Sequence, residues 1–363
     1  MTRFPTSIGL HAVTEPLKVG IAGYGVVGKR RRHFIDKRPD LRTVAVCDRL
    51  FESDGTLEDG VRCYRHYSDV LNEDIDVLFV CLTNDLAADV TVAGLRKGLH
   101  VFCEKPPGRD VADIARVMKC ARERPHLKLK YGFNHRYHDS VRDALAIIRE
   151  GTLGRVVNLR GVYGKSAIID FRSPSHWRTM RVKAGGGILL DQGIHMVDLM
   201  RLFTSENFED IRSFVSNGFW NHDVEDNVYA LMRTRTGVVA MLHSSATLWR
   251  HRFELEMTLE KGSVILSGIL SGSKSYGDET LTVARATPND AGDPKEEITR
   301  YDHDSSWADE IADFTEAIMH DRPIVDGSAD EALATMRLVY RIYCADPNWK
   351  ARWGLSDSIS TTK

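Results

Sequence analysis

The stretch Lys18-Val19-Gly20-Ile21-Ala22-Gly23-Tyr24-Gly25-Val26-Val27-Gly28 decides the fold. Lys18 to Ala22 is predicted as a short buried strand. Gly23, Gly25 and Gly28 then fall at G-x-G-x-x-G spacing and open a helical run through Phe34. Glycines suit that turn because it needs unusual backbone angles, because the backbone must come close to a pyrophosphate, and because the helix N-terminus offers free N–H groups to an anion. A second strand, Thr43 to Cys47, ends in Asp48, 20 residues beyond Gly28, where a dinucleotide fingerprint places the acid for a ribose 2′-OH. Strand, turn, helix, strand and acid in register predict dinucleotide binding. A purely structural glycine turn is the alternative.

Outward from that unit, strands predicted at Val77 to Leu82, His100 to Cys103 and Leu127 to Tyr131 alternate with helices at Leu86 to Lys97 and Val111 to Glu123. Such alternation predicts a doubly wound parallel sheet. Beyond Arg136 the pattern changes. Arg155 to Tyr163, Asn227 to Arg233 and Val238 to Ser244 are β-rich, and Phe253, Leu255, Met257 and Leu259 alternate with polar residues, as a strand with one wet face requires. Turns at Thr236-Gly237 and Lys261-Gly262 suit hairpins. A helix over 307–319 and another capped by Ser328 and Glu331 are expected to pack on the outside. The fold class is therefore α/β, with residues 1–134 forming a dinucleotide-binding domain and residues 135–363 an α+β domain built on a large, mainly antiparallel open sheet. Residues 1–17 are expected to be a leading arm, Thr287 to Glu297 a surface loop, and the tail after Ser356 disordered.

Bulk properties narrow the function. At 363 residues the chain is long enough for two cores, and a net charge of −2 gives no footprint for nucleic acid or an anionic membrane. No apolar leader or bilayer-length run occurs, so a cytoplasmic protein is expected. The six cysteines form no C-x-x-C pair and no metal-ligand spacing; Cys47, Cys81 and Cys103 sit at strand ends and are read as reduced core residues. The basic run Lys29 to His33 is read as a solvated helix face, with phosphate holding as the alternative.

Two clusters carry the chemistry. Glu104-Lys105-Pro106-Pro107 follows a strand at the edge where such sheets bind ligands. By itself Lys105 could be a solvated loop charge. Gly185-Gly186-Gly187 precedes Asp191 and His195, which share a face if the segment is helical. Histidine exchanges protons near neutral pH, and a lysine with a carboxylate can tune it, which suits alcohol oxidation by hydride transfer. A structural histidine with an N-cap aspartate, or half a metal site, are the alternatives; no third metal ligand stands nearby.

Taken together, Gly23-x-Gly25-x-x-Gly28, Asp48, Glu104-Lys105-Pro106, Gly132-Phe133-Asn134-His135-Arg136, Gly151-x-x-Gly154, Gly185-Gly186-Gly187 and Asp191-x-Gly193-x-His195 resemble the glucose-fructose oxidoreductase and inositol dehydrogenase (Gfo/Idh/MocA) family over nearly the whole chain. The resemblance implies a Rossmann domain, an open-sheet domain carrying substrate, and a homodimer or homotetramer. It implies that Lys105 polarises the reacting hydroxyl, Asp191 positions it and His195 is the general base. Cofactor contacts are expected from Gly23, Tyr24, Gly25, Val26, Val27 and Gly28, from Asp48 and Arg49, from Thr83 and Asn84, and from Glu104 and Lys105. Family members usually carry Thr-Pro where this chain has Thr83-Asn84, and a histidine where it has Ala88. NAD is favoured because Asp48 repels a 2′-phosphate; Arg49 leaves NADP as the alternative.

Within the family, Phe133 to Tyr137, Arg160-Gly161-x-Tyr163-Gly164, Trp177-Arg178 and Leu190 to Gly193 are similar to members that oxidise nucleotide-activated amino sugars at ring carbon 3 for a partner aminotransferase. Substrate contacts would then come from Arg136, Tyr163, Lys165, Trp177 and Arg178, with Arg181 nearby. A keto-sugar reductase, a free-sugar or inositol dehydrogenase, and a nucleotide-binding sensor without turnover are the alternatives.

Overall fold

The computed structural model describes residues 15–167, 176–287, 289 and 292–356. The expected leading arm up to residue 14 and the tail from residue 357 lie outside them, as do parts of the loop after Thr287. The first half builds a seven-stranded sheet in the order β3-β4-β2-β1-β5-β6-β7 from β1 (Leu17–Ala22), β2 (Leu41–Cys47), β3 (Gly55–Thr56), β4 (Arg62–Tyr64), β5 (Val77–Val80), β6 (His100–Glu104) and β7 (Leu129–Gly132). All pairs are parallel except the short β3–β4 hairpin. The central strands are apolar on both faces, as burial between two helical layers demands.

Helices α1 (Val26–Ile35), α2 (Tyr67–Val70), α3 (Asn84–Arg96) and α4 (Val111–Arg122) connect these strands. The order reverses between β1 and β5, and the crevice at the carboxyl ends of those strands is the ligand position of a doubly wound sheet. Gly23 (φ +95°) lies there. A Cβ on it would stand 2.3 Å from the Cys81 carbonyl, and a Cβ on Gly28 would stand 1.9 Å from the Gly23 carbonyl, so close packing of turn, helix and neighbouring strand excludes a side chain.

After α5 (Asp139–Glu150), ended by left-handed Gly151, the chain enters an eight-stranded sheet in the order β15-β14-β13-β12-β8-β11-β10-β9. Its strands are β8 (Val156–Gly164), β9 (Phe208–Ser216), β10 (Asn227–Thr234), β11 (Val239–Ser245), β12 (Arg252–Leu259), β13 (Gly262–Ser267), β14 (Glu279–Arg285) and β15 (Glu296–Tyr301). Only β8 and β11 run parallel; the rest are antiparallel. β15 was not anticipated, because its Glu296-Glu297-Ile298-Thr299-Arg300 has no buried face to impose alternation.

Between β8 and β9 come the one-turn helix α6 (Arg181–Ala184) and helix α7 (Ile194–Thr204); α8 (Ser306–Met319), α9 (Ala329–Ala345) and α10 (Pro347–Trp353) close the described chain. Helices α5, α7 and α9 cover the inner face of the second sheet. The outer face carries Phe214, Tyr229, Leu231 and Met241 in register, all exposed.

Helix α8 departs from its expected outside position. Ile311 and Phe314 are fully buried, with Phe314 edge-on to the stacked pair Phe79 and Phe102 of the first sheet. The apolar stripe was legible; its burial against a sheet some 200 residues earlier was not. Among the described residues no helix is long and apolar enough to cross a membrane.

Candidate active site

The glycine turn fits a dinucleotide. Helix α1 begins at Gly25 with no side-chain cap, so its first N–H groups face outward, and open space surrounds Gly25 where a Cβ would point. Asp48 is held beside the turn: Oδ2 accepts from Tyr24 N at 3.1 Å and Oδ1 from Leu50 N at 3.0 Å. Val26 and Arg49 are exposed. Thr83 lies at the end of the neighbouring strand as the N-terminal cap residue of α3.

Asn84 opens α3, and its buried amide donates to the Ala184 carbonyl at 2.7 Å, which ties this end of the helix to the α6 segment. The solvated-face reading of Lys29 to His33 holds for Lys29 and His33, which are exposed, and is corrected for Arg31 and Arg32. Arg31 is fully buried, bridging Glu104 (2.6 Å) and Glu310 (2.7 Å) between the rings of Phe102 and Trp307. Arg32 bonds Tyr24 Oη at 2.8 Å and pairs with Asp36 and Asp59. Glu104 is thereby oriented by Arg31, directly before Lys105.

Lys105 leaves the edge of β6 and donates from Nζ to the Asp191 carbonyl. Burial pulls its pKa down, against the attraction of Asp191 and Glu104. Asp191 lies in a π-helical turn, Leu189–Gly193, that runs into α7. Such wider turns are frequent at functional sites, and here Asp191 and His195 meet different partners. Asp191 Oδ2 pairs with Lys165 at 3.4 Å and Oδ1 with Arg178 at 3.2 Å. Burial would raise its pKa, but Lys165, Arg178 and Lys105 together hold it well below the usual carboxylate range.

His195 faces another set of partners. Its ring stacks on His135 with centroids 3.7 Å apart and planes 11° apart, with Phe133 edge-on at 6.2 Å. Burial, reinforced by Lys105, pushes the His195 pKa well below the usual value, so the imidazole is neutral at neutral pH; Nδ1 is buried without a partner among the described residues. His135 is held by Asn134 Oδ1 at 3.3 Å and Tyr163 Oη at 3.2 Å. Asn134 donates its amide to Ser306, so its oxygen faces Nδ1, which makes Nδ1 the protonated nitrogen of His135 and Nε2 the acceptor from Tyr163. Tyr163 therefore supports the site through His135. Tyr276 donates to Gln192 at 3.1 Å.

Arg136 stands apart from the cleft. Its guanidinium is bidentate to Asp198 at 2.7 Å for both bonds, and also reaches Glu331 at 2.9 Å and Asp326 at 3.1 Å. Four of the five N–H donors of the fork are spent inside the protein, so the guanidinium is committed to this network and not to the expected contact with substrate. Trp177 stacks under the Arg178 guanidinium at 4.3 Å and holds that cation beside Asp191. Arg181 leans on Trp353, away from Asp191.

Glu225 was missed. Its fully buried carboxylate accepts from Gly187 N (2.7 Å), Leu189 N (3.0 Å) and Tyr343 Oη (2.6 Å), pinning the glycine segment at the start of the helical run that carries Asp191 and His195. Glycine is required there: a Cβ on Gly187 would lie 2.0 Å from the Glu225 carbonyl, and one on Gly185 (φ +80°) 2.1 Å from that of Arg109. A Gly-Gly-Gly run facing a buried acid is a long-range pairing that one sequence does not display. All six cysteines are free thiols, and no group of metal-ligating side chains occurs among the described residues.

A dinucleotide turn at the switch point, with a lysine after the adjoining strand and a neutral imidazole on α7 that its charge reaches, defines a nicotinamide-dependent oxidoreductase. Residues 17–133 match the family model for an oxidoreductase family with an NAD-binding Rossmann fold, and residues 141–265 match the Gfo/Idh/MocA C-terminal domain. The chain belongs to the Gfo/Idh/MocA oxidoreductase family. It is similar to a 1,5-anhydro-D-fructose reductase of Ensifer adhaerens, 31% identical over 57% of this chain and 61% of that enzyme, so the match spans less than two thirds of that relative's length. It is also similar to an inositol 2-dehydrogenase of Salmonella typhimurium, 24% identical over 71% of this chain and 76% of that enzyme. The fold matches a levoglucosan dehydrogenase solved with NADH, with a TM-score of 0.80 at 20% identity over 92% of this chain and 98% of that one.

Proposed function

We propose that the protein is an NAD-dependent dehydrogenase that oxidises a ring hydroxyl of a sugar or cyclic polyol. The observation that carries this reading is that Lys105, at the sheet edge adjoining the glycine turn, bonds the Asp191 carbonyl and acts by its charge on the neutral, buried His195. The glycine turn and Asp48 would hold the dinucleotide, which supplies the hydride acceptor when bound. His195 takes the hydroxyl proton as the carbon gives up its hydride. Lys105 donates a hydrogen bond to the oxygen as it becomes a carbonyl, and Asp191, fixed between Lys165 and Arg178, orients the hydroxyl. His135 keeps the His195 ring in place. The sugar and inositol relatives support this substrate class.

A finer reading is a nucleotide-activated amino sugar oxidised at ring carbon 3, with an aminotransferase consuming the ketone. With Arg136 withdrawn, Lys165 and Arg178 are the cations that support it. The apolar outer face of the second sheet supports a homodimer or homotetramer, and the free thiols support a cytoplasmic setting.

The test is the absorbance of reduced nicotinamide when the purified protein meets NAD or NADP with free sugars, inositols and UDP-N-acetyl sugars, with products identified by mass. Keto product from any of these sustains the dehydrogenase reading. Oxidation of the reduced cofactor by keto-sugars alone would turn it into a reductase; bound NAD with no turnover in either direction would leave a sensor.

A further inference from the structure

The charge balance around Asp191 carries an inference about the substrate. Lys105, Lys165 and Arg178 act on this carboxylate together. Glu104, the other acid that acts on Lys105, is engaged by Arg31. Among the described residues Asp191 is the sole acid paired with Lys165 or Arg178, at 3.4 and 3.2 Å. Three cations therefore surround Asp191, with only Lys105 also drawn by Glu104, in a cleft where two of them are largely shielded: the side chains of Lys165 and Arg178 are 16% and 33% exposed. The histidines around the cleft register the surplus. His176 is pulled down by burial and then by Arg178, His251 by burial and then by Lys165, and His195 by burial and then by Lys105.

Gathering unmatched positive charge in a partly dry cleft is unfavourable unless something of opposite sign occupies it. The donors are also arranged for an oxygen anion. Trp177 holds the Arg178 guanidinium flat, only its Nε is engaged by Asp191, and its two terminal nitrogens bond no acceptor among the described residues. Lys165 adds a point charge on the other carboxylate oxygen of Asp191. A planar fork beside an ammonium is well suited to a carboxylate or phosphate group.

We propose that the substrate carries an anionic oxygen group close to the hydroxyl that reacts, and that Lys165 and Arg178 bind it. This rests on the dehydrogenase reading for its reacting hydroxyl, but the anion site itself can be tested by binding alone. A sugar carboxylate, a sugar phosphate and the diphosphate of a nucleotide sugar share the required chemistry.

The experiment is calorimetric titration of the NAD-loaded protein with three matched pairs: glucuronate and glucose, glucose 6-phosphate and glucose, and UDP-N-acetylglucosamine and N-acetylglucosamine. The anionic member of at least one pair should bind about tenfold to a hundredfold more tightly, as hydrogen bonds to charged groups allow. That advantage should shrink at high salt. Lys165→Met and Arg178→Met should each remove most of it, and Lys165→Arg, which keeps the charge, should retain it. The pair that shows the preference separates carboxylate, monophosphate and diphosphate sources.

Equal affinity within all three pairs overturns the proposal, as does a preference that both methionine variants leave intact. Turnover read on the same samples keeps the two readings apart. Neutral sugars oxidised without any preference for anions would end the anion proposal and leave the dehydrogenase standing. An anion bound tightly with no change in NAD absorbance would do the reverse.

Discussion

Two clusters of charge lie on the same helical run, and they are built on opposite terms. Around Asp198, Arg136 is bidentate to Asp198 at 2.7 Å and also meets Glu331 and Asp326, Arg201 meets Glu331 at 3.1 Å, and Thr335 bonds Arg201 and Asp198 at 3.0 and 3.1 Å. Around Asp191, cations outnumber acids and the ion pairs stretch to 3.2 and 3.4 Å. The first cluster satisfies itself and joins α7, α9 and the turn after β7. The second is incomplete without a ligand. Satisfied charge marks architecture, and unsatisfied charge marks chemistry.

The largest effects should come from emptying the incomplete cluster. Lys105→Ala and His195→Ala are each expected to lower kcat about 10²- to 10⁴-fold, the usual weight of a general base or an electrostatic donor. NAD should still bind, because neither residue is part of the glycine turn; truncating the buried His195 ring is expected to lower the urea midpoint, so kcat is compared on protein shown to be folded. Steady-state kinetics beside NAD titration checks this. Full activity in either variant would sink the assignment.

In the complete cluster the sign of the outcome reverses. Arg136→Met leaves Asp198 buried with half its partners gone, and breaking such a pair costs about 3–5 kcal/mol. Urea unfolding followed by tryptophan fluorescence should show that loss. Protein that remains folded at low temperature should keep most of its kcat. A stable variant with a raised substrate KM would instead return Arg136 to the cleft.

That contrast also shows where sequence reasoning succeeds and where it stops. Gly23, Gly25, Gly28 and Asp48 were legible because their roles are set by local spacing on one strand-turn-helix unit. Lys105 and His195 were legible as chemistry by type, and Lys105 acts by its charge on both Asp191 and His195. Arg136 and Arg31 were read as ligand-facing or solvated because a sequence shows the charge without its partners: Asp198, Glu331 and Glu310 lie 62, 195 and 279 residues away. Glu225 was invisible for the same reason. The wide turn at Leu189–Gly193, which carries Asp191, leaves no mark in periodicity.

The stacked histidines predict a pH dependence that belongs to the site. Burial lowers the pKa of both His135 and His195 in the folded protein. The unfolded chain then binds more protons than the folded one below the ordinary histidine pKa, so stability is full above about pH 6.5 and falls as the pH drops from there toward the folded values. Each histidine adds up to about 1.4 kcal/mol per pH unit in that window. Urea midpoints between pH 7.5 and 5 should fall less steeply for His135→Phe than for the native chain. Activity should persist below pH 6.5, since the base stays unprotonated there; a kcat/KM limb at 6.5 or above would contradict a depressed His195.

The smallest effect sharpens the comparison most. Lys165→Met removes a cation from the overcharged cluster, keeps the stem that packs there, and leaves Asp191 paired with Arg178. Its ion pair is long, its pKa is already pulled down by burial and by Arg178, and its loss relieves repulsion on Lys105. The change in stability is therefore expected to stay within about 1 kcal/mol and to lean toward stabilisation, the pattern of a group retained for function at the expense of the fold. The urea midpoint of this variant beside that of Arg136→Met is the direct reading. If Lys165→Met destabilises as much as Arg136→Met, the two clusters are alike, and the surplus charge at Asp191 is architecture after all.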